Sequence, residues 1–150
     1  MIFSSNFYFR HGISNLMNEV VPKYKIPLFV VSAGLGTLIE ESFKQLMKKE
    51  QYDEMRESKQ LRIYTNMLEA DSNGILTKLT SAITHSYNKE LLLEKEASLP
   101  ELKGNVILLG DLIQDIKIMH HVEASNILTL GCFNGRPDLM EPGEAREKKE

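Results

Sequence analysis

Ile107-Leu108-Leu109-Gly110-Asp111-Leu112-Ile113-Gln114-Asp115 is a short apolar run that stops at Gly-Asp, with a second aspartate four positions further on. β-Formers closed by a carboxylate read as a buried strand that delivers an acid to its C-terminal end, where open α/β sheets bind ligands. An acid in that place points to a magnesium site, because a hard cation takes oxygen ligands. The same Gly-Asp is also an ordinary helix N-cap, and the run alone does not choose between the two.

Outward from this run, segments of different period alternate. Ile13, Leu16, Met17, Val20 and Val21 recur at helical spacing up to Pro22. Ile26–Val31 is a continuous apolar run, the pattern of a parallel strand buried on both faces, and Leu38, Ile39, Phe43, Leu46 and Met47 return to the helical period. The charged stretch Lys48–Lys59 reads as a solvated helix end and loop. Arg62–Asn66 reads as a strand, and Asp71-Ser72-Asn73-Gly74 before Ile75–Thr77 as the turn of a hairpin. Glu90–Glu96 and Ile113–Met119 are helix-like, and Ile127–Leu130 gives a further strand. This alternation predicts an α/β fold: a mostly parallel sheet flanked by helices, with a small β-hairpin excursion around residues 61–78. Residues 1–140 form the core, and 141–150, which lack an apolar face, a polar C-terminal tail.

Composition narrows the partners. A chain of 150 residues, 42% hydrophobic and 26% charged, has the make-up of one globular domain able to bury a core. The net charge of −3 and the absence of a Lys/Arg cluster argue against nucleic acid. No stretch is apolar for long enough to span a bilayer, and Cys132 is the single cysteine, so a cytoplasmic setting without an internal disulfide is expected.

Val31-Ser32-Ala33-Gly34-Leu35-Gly36 lies between a strand and a helix. A hydroxyl, close-approaching backbone N–H groups and a helix N-terminus suit a phosphate oxygen, while glycine in an ordinary strand-to-helix turn is the competing reading. Asn88-Lys89 would by itself be a solvent-facing charge at a helix start.

In this order and spacing, Ile26–Gly36, Asn66 with Asp71–Leu76, His85–Lys89 and Val106–Asp115 resemble the cytosolic 5′-nucleotidase III family, the pyrimidine 5′-nucleotidases of the haloacid dehalogenase superfamily. The resemblance covers nearly the whole chain and implies a haloacid dehalogenase-like core. It implies that Ser32 and the Ala33 backbone hold the substrate phosphate and that Lys89 neutralises the phosphoryl group. It also implies that Asp111 ligates Mg2+ and that Asp115 stands behind it and orients its surroundings. Such roles suit phosphoryl transfer, which depends on positioning and on cancelling charge over the equatorial oxygens. The implied substrate is a nucleoside 5′-monophosphate, a pyrimidine one first.

The family's Asp-x-Asp-x-Thr segment, which supplies the nucleophile and the acid–base aspartate, has no counterpart in these residues. Glu69-Ala70-Asp71-Ser72-Asn73 imitates it only loosely, and Asp71 reads as a turn residue. The expectation is therefore an incomplete core lacking the nucleophile's central strand and most of the cap, inactive as an isolated chain. The alternative is a non-catalytic paralogue that binds phosphate or magnesium weakly or pairs with another chain. Ile2–Phe9, rich in strand-favouring aromatics, is a candidate to fill the central gap. His120-His121 reads as a helix-end pair and not as metal ligands, His85 and Tyr87 as packing beside Lys89, Cys132 as a small core residue, and Asn134–Asp138 as a turn.

Overall fold

The structure, a computed structural model, describes residues 9–79, 83–85, 87–89, 91 and 99–132. The chain divides into two compact units, Met1–Glu96 and Ala97–Glu150. The expected fillers and turns at Ile2–Phe9, Glu90–Glu96, Asn134–Asp138 and 141–150 fall wholly or largely outside the described residues.

The first unit opens with a helical run, α1 (Ile13–Asn15), a π segment (Leu16–Val20) and α2 (Val21–Lys23). The widened turn has a local cause. Pro22 has no N–H and its ring would strike the carbonyl four residues back, so the ladder loosens just before it and the Val21 N–H donates to Leu16 O. Lys25, in the left-handed region at φ 49°, then turns the chain, and the Ile26 N–H donates back to Val21 O.

β1 (Leu28–Leu35) pairs parallel with β2 (Leu61–Asn66), and between them lie α3 (Gly36–Leu46) and α4 (Lys49–Glu57). Leu28, Val30, Leu61 and Ile63 point one face of this pair onto Met17, Val21, Met47, Tyr52 and Met55, which form the core. α4 corrects the reading of Lys48–Lys59 as largely loop. Two apolar side chains three apart, Tyr52 and Met55, are enough to seat the helix, while its charged residues face outward.

β3 (Leu68–Ala70) and β4 (Leu76–Leu79) form a hairpin narrower than the expected excursion over 61–78, since Leu61–Asn66 pairs parallel with β1 instead; Glu69 stands opposite Lys78, with an ion pair of 3.3 Å between them. Asp71 is the turn residue anticipated from sequence: its Oδ1 accepts the N–H groups of Asn73 and Ile75, both at 2.9 Å.

In the second unit β5 (Asn105–Gly110) pairs parallel with β6 (Asn126–Gly131), and a 3₁₀ helix, Ile113–His121, joins them. The helix expected at Ile113–Met119 is thus present in the tighter form. Leu102, Ile118, Met119 and Val122 are buried in this unit. The expectation of a buried strand at Ile107–Leu109 is overturned: Ile107 is 63% exposed and Leu109 50%, and β6 is exposed along its length. Among the described residues of this unit, the two 3₁₀ segments Pro100–Leu102 and Ile113–His121 are too short to cover both faces of a strand pair. The described strands form three two-stranded sheets, so the α/β class and its parallel pairs stand, without one continuous sheet among the described residues.

Candidate functional site

Ser32, Ala33 and Gly34 sit inside β1 and not in a loop after it, because the strand begins only at Leu28, past Pro27, and runs on to Leu35. Register explains how they remain available. Val31 pairs with Tyr64 and Leu35 with Asn66, so β1 spends four residues where β2 spends two, and the Ser-Ala-Gly segment bulges out of the ladder. The Gly34 N–H donates to Ser32 Oγ at 3.0 Å, and Thr65 Oγ1 donates to Gly34 O at 2.6 Å.

α3 starts immediately afterwards, with Leu35 at its N-cap position and no side-chain cap. Its first residue must be glycine: a Cβ on Gly36 would overlap Met67 Sδ and come within 2.7 Å of Thr65 Cγ2. The helix N-terminus, carrying its partial positive charge, therefore opens directly beside the bulge.

Asn66 fixes what lies around it. Only 5% exposed, it donates through Nδ2 to Ala33 O at 2.8 Å and Thr84 O at 2.9 Å, and its Oδ1 accepts the Thr84 N–H at 2.7 Å. One amide thereby ties the bulge to the segment that leads to Lys89. Asn88 folds that segment: its Oδ1 accepts the His85 N–H at 2.7 Å and its Nδ2 donates to Ile83 O at 3.1 Å. Lys89 follows, half-buried. His85 and Tyr87 are exposed and linked to each other, the Tyr87 N–H donating to His85 Nδ1, which corrects their reading as packed residues. Asn66 stands in the sequence pattern but sequence reasoning gives it no role, since all its partners are backbone groups more than fifteen positions away.

The second unit carries the Gly-Asp elbow. Asp115, 5% exposed, turns back so that its Oδ2 accepts the N–H groups of Asp111 and Leu112, each at 3.2 Å. Gly110 makes room, because a Cβ there would lie 2.7 Å from Asp115 Oδ2 and 2.8 Å from its Cβ. Asp111 is held on the exposed side of this turn. The helix start is satisfied not by Asp111 as an N-cap but by the Asp115 side chain, from within the first turn.

Ser32, Ala33 and Lys89 belong to the first unit, Asp111 and Asp115 to the second. Among the described residues no three His, Cys, Asp or Glu side chains gather to hold a metal ion. Asp115 is committed to backbone N–H groups, and Asp111 lies on the exposed side of the same turn. One carboxylate with carbonyl, water and phosphate oxygens is a donor set that suits magnesium, which keeps several waters and binds with its substrate's phosphate. His120 is exposed at the end of the 3₁₀ helix, and Cys132 is a half-buried free thiol. Among the described residues no helix is long and apolar enough to cross a membrane.

The sequence profile described as Pyrimidine 5′-nucleotidase (UMPH-1) matches residues 1–142. The chain belongs to the pyrimidine 5′-nucleotidase family. It is 31% identical over 136 residues to the 7-methylguanosine phosphate-specific 5′-nucleotidase of Homo sapiens, covering 88% of this chain and 42% of that protein. The Gallus gallus protein of the same name is 29% identical over 136 residues, 88% of this chain and 44% of its own. The putative cytosolic 5′-nucleotidase 3 of Caenorhabditis elegans is 28% identical over 139 residues, 89% of this chain and 35% of its own. This member of the family therefore spans less than half the length of these curated relatives. The resemblance carried by the Ser-Ala-Gly, Asn-Lys and Gly-Asp-x-x-x-Asp motifs is borne out.

Proposed function

We propose that these residues form part of the phosphate- and magnesium-binding apparatus of a haloacid dehalogenase-type 5′-nucleotidase, which converts a nucleoside 5′-monophosphate and water to nucleoside and phosphate. The observation that carries the reading is the bulge at Ser32–Gly34, open beside the uncapped start of α3 and tied by Asn66 to the segment bearing Lys89. Ser32 donates a hydroxyl hydrogen bond to the phosphate, the backbone at Ala33 lines it, and the Lys89 ammonium offsets its charge. Asp111, in the second unit, would be a ligand for Mg2+, with Asp115 fixing the backbone behind it; such an ion would supply charge neutralisation in phosphoryl transfer.

The family description refers to pyrimidine nucleotides, whereas the vertebrate relatives are named for 7-methylguanosine phosphate. The phosphoryl chemistry is the same, so the substrate is assigned as a nucleoside monophosphate of either kind. The 150 residues contain no Asp-x-Asp-x-Thr segment, so binding without turnover is the behaviour assigned to them alone.

The test is to incubate the purified chain with magnesium and CMP, UMP or 7-methyl-GMP, following phosphate release and, separately, binding of inorganic phosphate. Expected are saturable phosphate binding, lost in Ser32→Ala and Lys89→Met, and no release above the blank. Release abolished by Asp111→Asn overturns the assignment of inactivity. Absence of phosphate binding, or its persistence in both variants, overturns the site.

A further inference from the structure

One donor in the bulge is already spent. The Gly34 N–H goes to Ser32 Oγ at 3.0 Å, so that amide closes on its own strand. A phosphate dianion presents several acceptor oxygens and is held by several donors aimed at it. The segment fastened beside the bulge carries one group of this kind that the proposed site does not use, the His85 ring.

Its position follows from Asn66. The Nδ2 that donates to Ala33 O donates also to Thr84 O, and Oδ1 of the same amide accepts the Thr84 N–H, so both backbone polar groups of Thr84 are tied next to Ala33. His85 is the next residue, four positions nearer to that tie than Lys89. Its own N–H donates to Asn88 Oδ1 at 2.7 Å, so the backbone under the ring is held from both sides. Thr84 is only 4% exposed, yet the His85 side chain is open to solvent.

The ring's hydrogen is placed as well. Nδ1 accepts the Tyr87 N–H at 3.2 Å, and the two rings lie tilted at 56° with centroids 6.3 Å apart. A neutral imidazole whose Nδ1 accepts carries its hydrogen on Nε2, which is thereby a donor. A turn alone would need only the acceptor, which asparagine or aspartate supplies in a smaller side chain. Histidine adds a donor at the outer edge of the ring.

We infer that His85 is a further phosphate-binding residue, its Nε2–H donating to an oxygen of the substrate's phosphate in company with Ser32 and Lys89. The inference rests on the reading of Ser32–Gly34 as a phosphate site and adds a neutral donor to it.

The experiment uses the whole chain and inorganic phosphate at mildly alkaline pH, following the imidazole nitrogens by long-range proton–nitrogen NMR and the affinity by titration. The free chain should show the His85 hydrogen on Nε2 alone, and saturating phosphate should shift Nε2. His85→Asn keeps an acceptor for the Tyr87 N–H but loses the outer donor, and should weaken phosphate binding about tenfold, the scale of one hydrogen bond to a charged group. His85→Gln, whose amide reaches the place of Nε2, should stay within about threefold of the unmodified chain. A role confined to the turn predicts the reverse order. Ser32-dependent phosphate binding that leaves Nε2 unmoved, or that survives His85→Asn undiminished, overturns the inference, as does a ring with its hydrogen on Nδ1. Binding that is absent, or indifferent to Ser32→Ala, is a different failure, which removes the phosphate site itself and the role of His85 with it. The NMR measurement needs no substitution, so it decides the matter even where a variant unfolds.

Discussion

Asn66 shows how much can rest on one amide. Its donor and acceptor atoms serve three backbone groups in a buried place, where a missing partner costs far more than a hydrogen bond gains. Asn66→Leu should destabilise the chain by about 2–4 kcal/mol, measured by urea unfolding. Asn66→Asp should do no better: the carboxylate still accepts the Thr84 N–H but turns negative oxygen toward Ala33 O and Thr84 O. A loss under about 1 kcal/mol for both variants would show that the bulge is held by other contacts.

At the level of elements, two junctions are set by close approach. α3 reaches β2 only because Gly36 lacks a Cβ; Gly36→Ala should cost about 1–3 kcal/mol by overpacking, and Met67→Ala in the same chain should recover part of it. Strict additivity in that double-mutant cycle would refute the contact. α4 contributes a pH dependence through Tyr52. Burial, and secondarily the charge of Glu40, raises the phenol above its usual 10.0. Above about pH 10 the unfolded chain has lost this proton while the folded one keeps it, so the stabilisation is complete below that pH and drains as pH climbs through the raised value. Denaturant unfolding from about pH 9 to about pH 11 should therefore show a fall in stability that Tyr52→Phe flattens. The strands and hairpin are legible in the sequence because unbroken apolar runs and Asp-Ser-Asn-Gly each carry a local signal. α4 is not, since only Tyr52 and Met55 mark its inner face, and the tight helix after Asp111 depends on Asp115 folding back onto Gly110. Ser32 and Asp111 are legible as polar groups ending apolar runs; Asn66 is not, its partners being remote in sequence.

Over the whole molecule, burial is uneven. The core of the first unit draws on helices and strands alike, whereas β5 and β6 leave Ile107, Leu109, Leu128 and Leu130 exposed. Apolar patches of this kind bind hydrophobic dyes and promote association. The chain should therefore enhance 8-anilinonaphthalene-1-sulfonate fluorescence under native conditions, and Ile107→Lys with Leu128→Lys should reduce the signal while moving stability by no more than about 0.5 kcal/mol. Unchanged fluorescence in the double variant would place the dye elsewhere. A net charge of −3 gives little repulsion to oppose such association.

Imagine the two surplus residues of β1 excised, so that Val31 and Leu35 stood two steps apart like Tyr64 and Asn66 opposite them. The ladder would zip without interruption, a more regular pair of strands in which Ser32 Oγ no longer closed on the Gly34 N–H. The proposed phosphate site depends on a miscount between neighbouring strands.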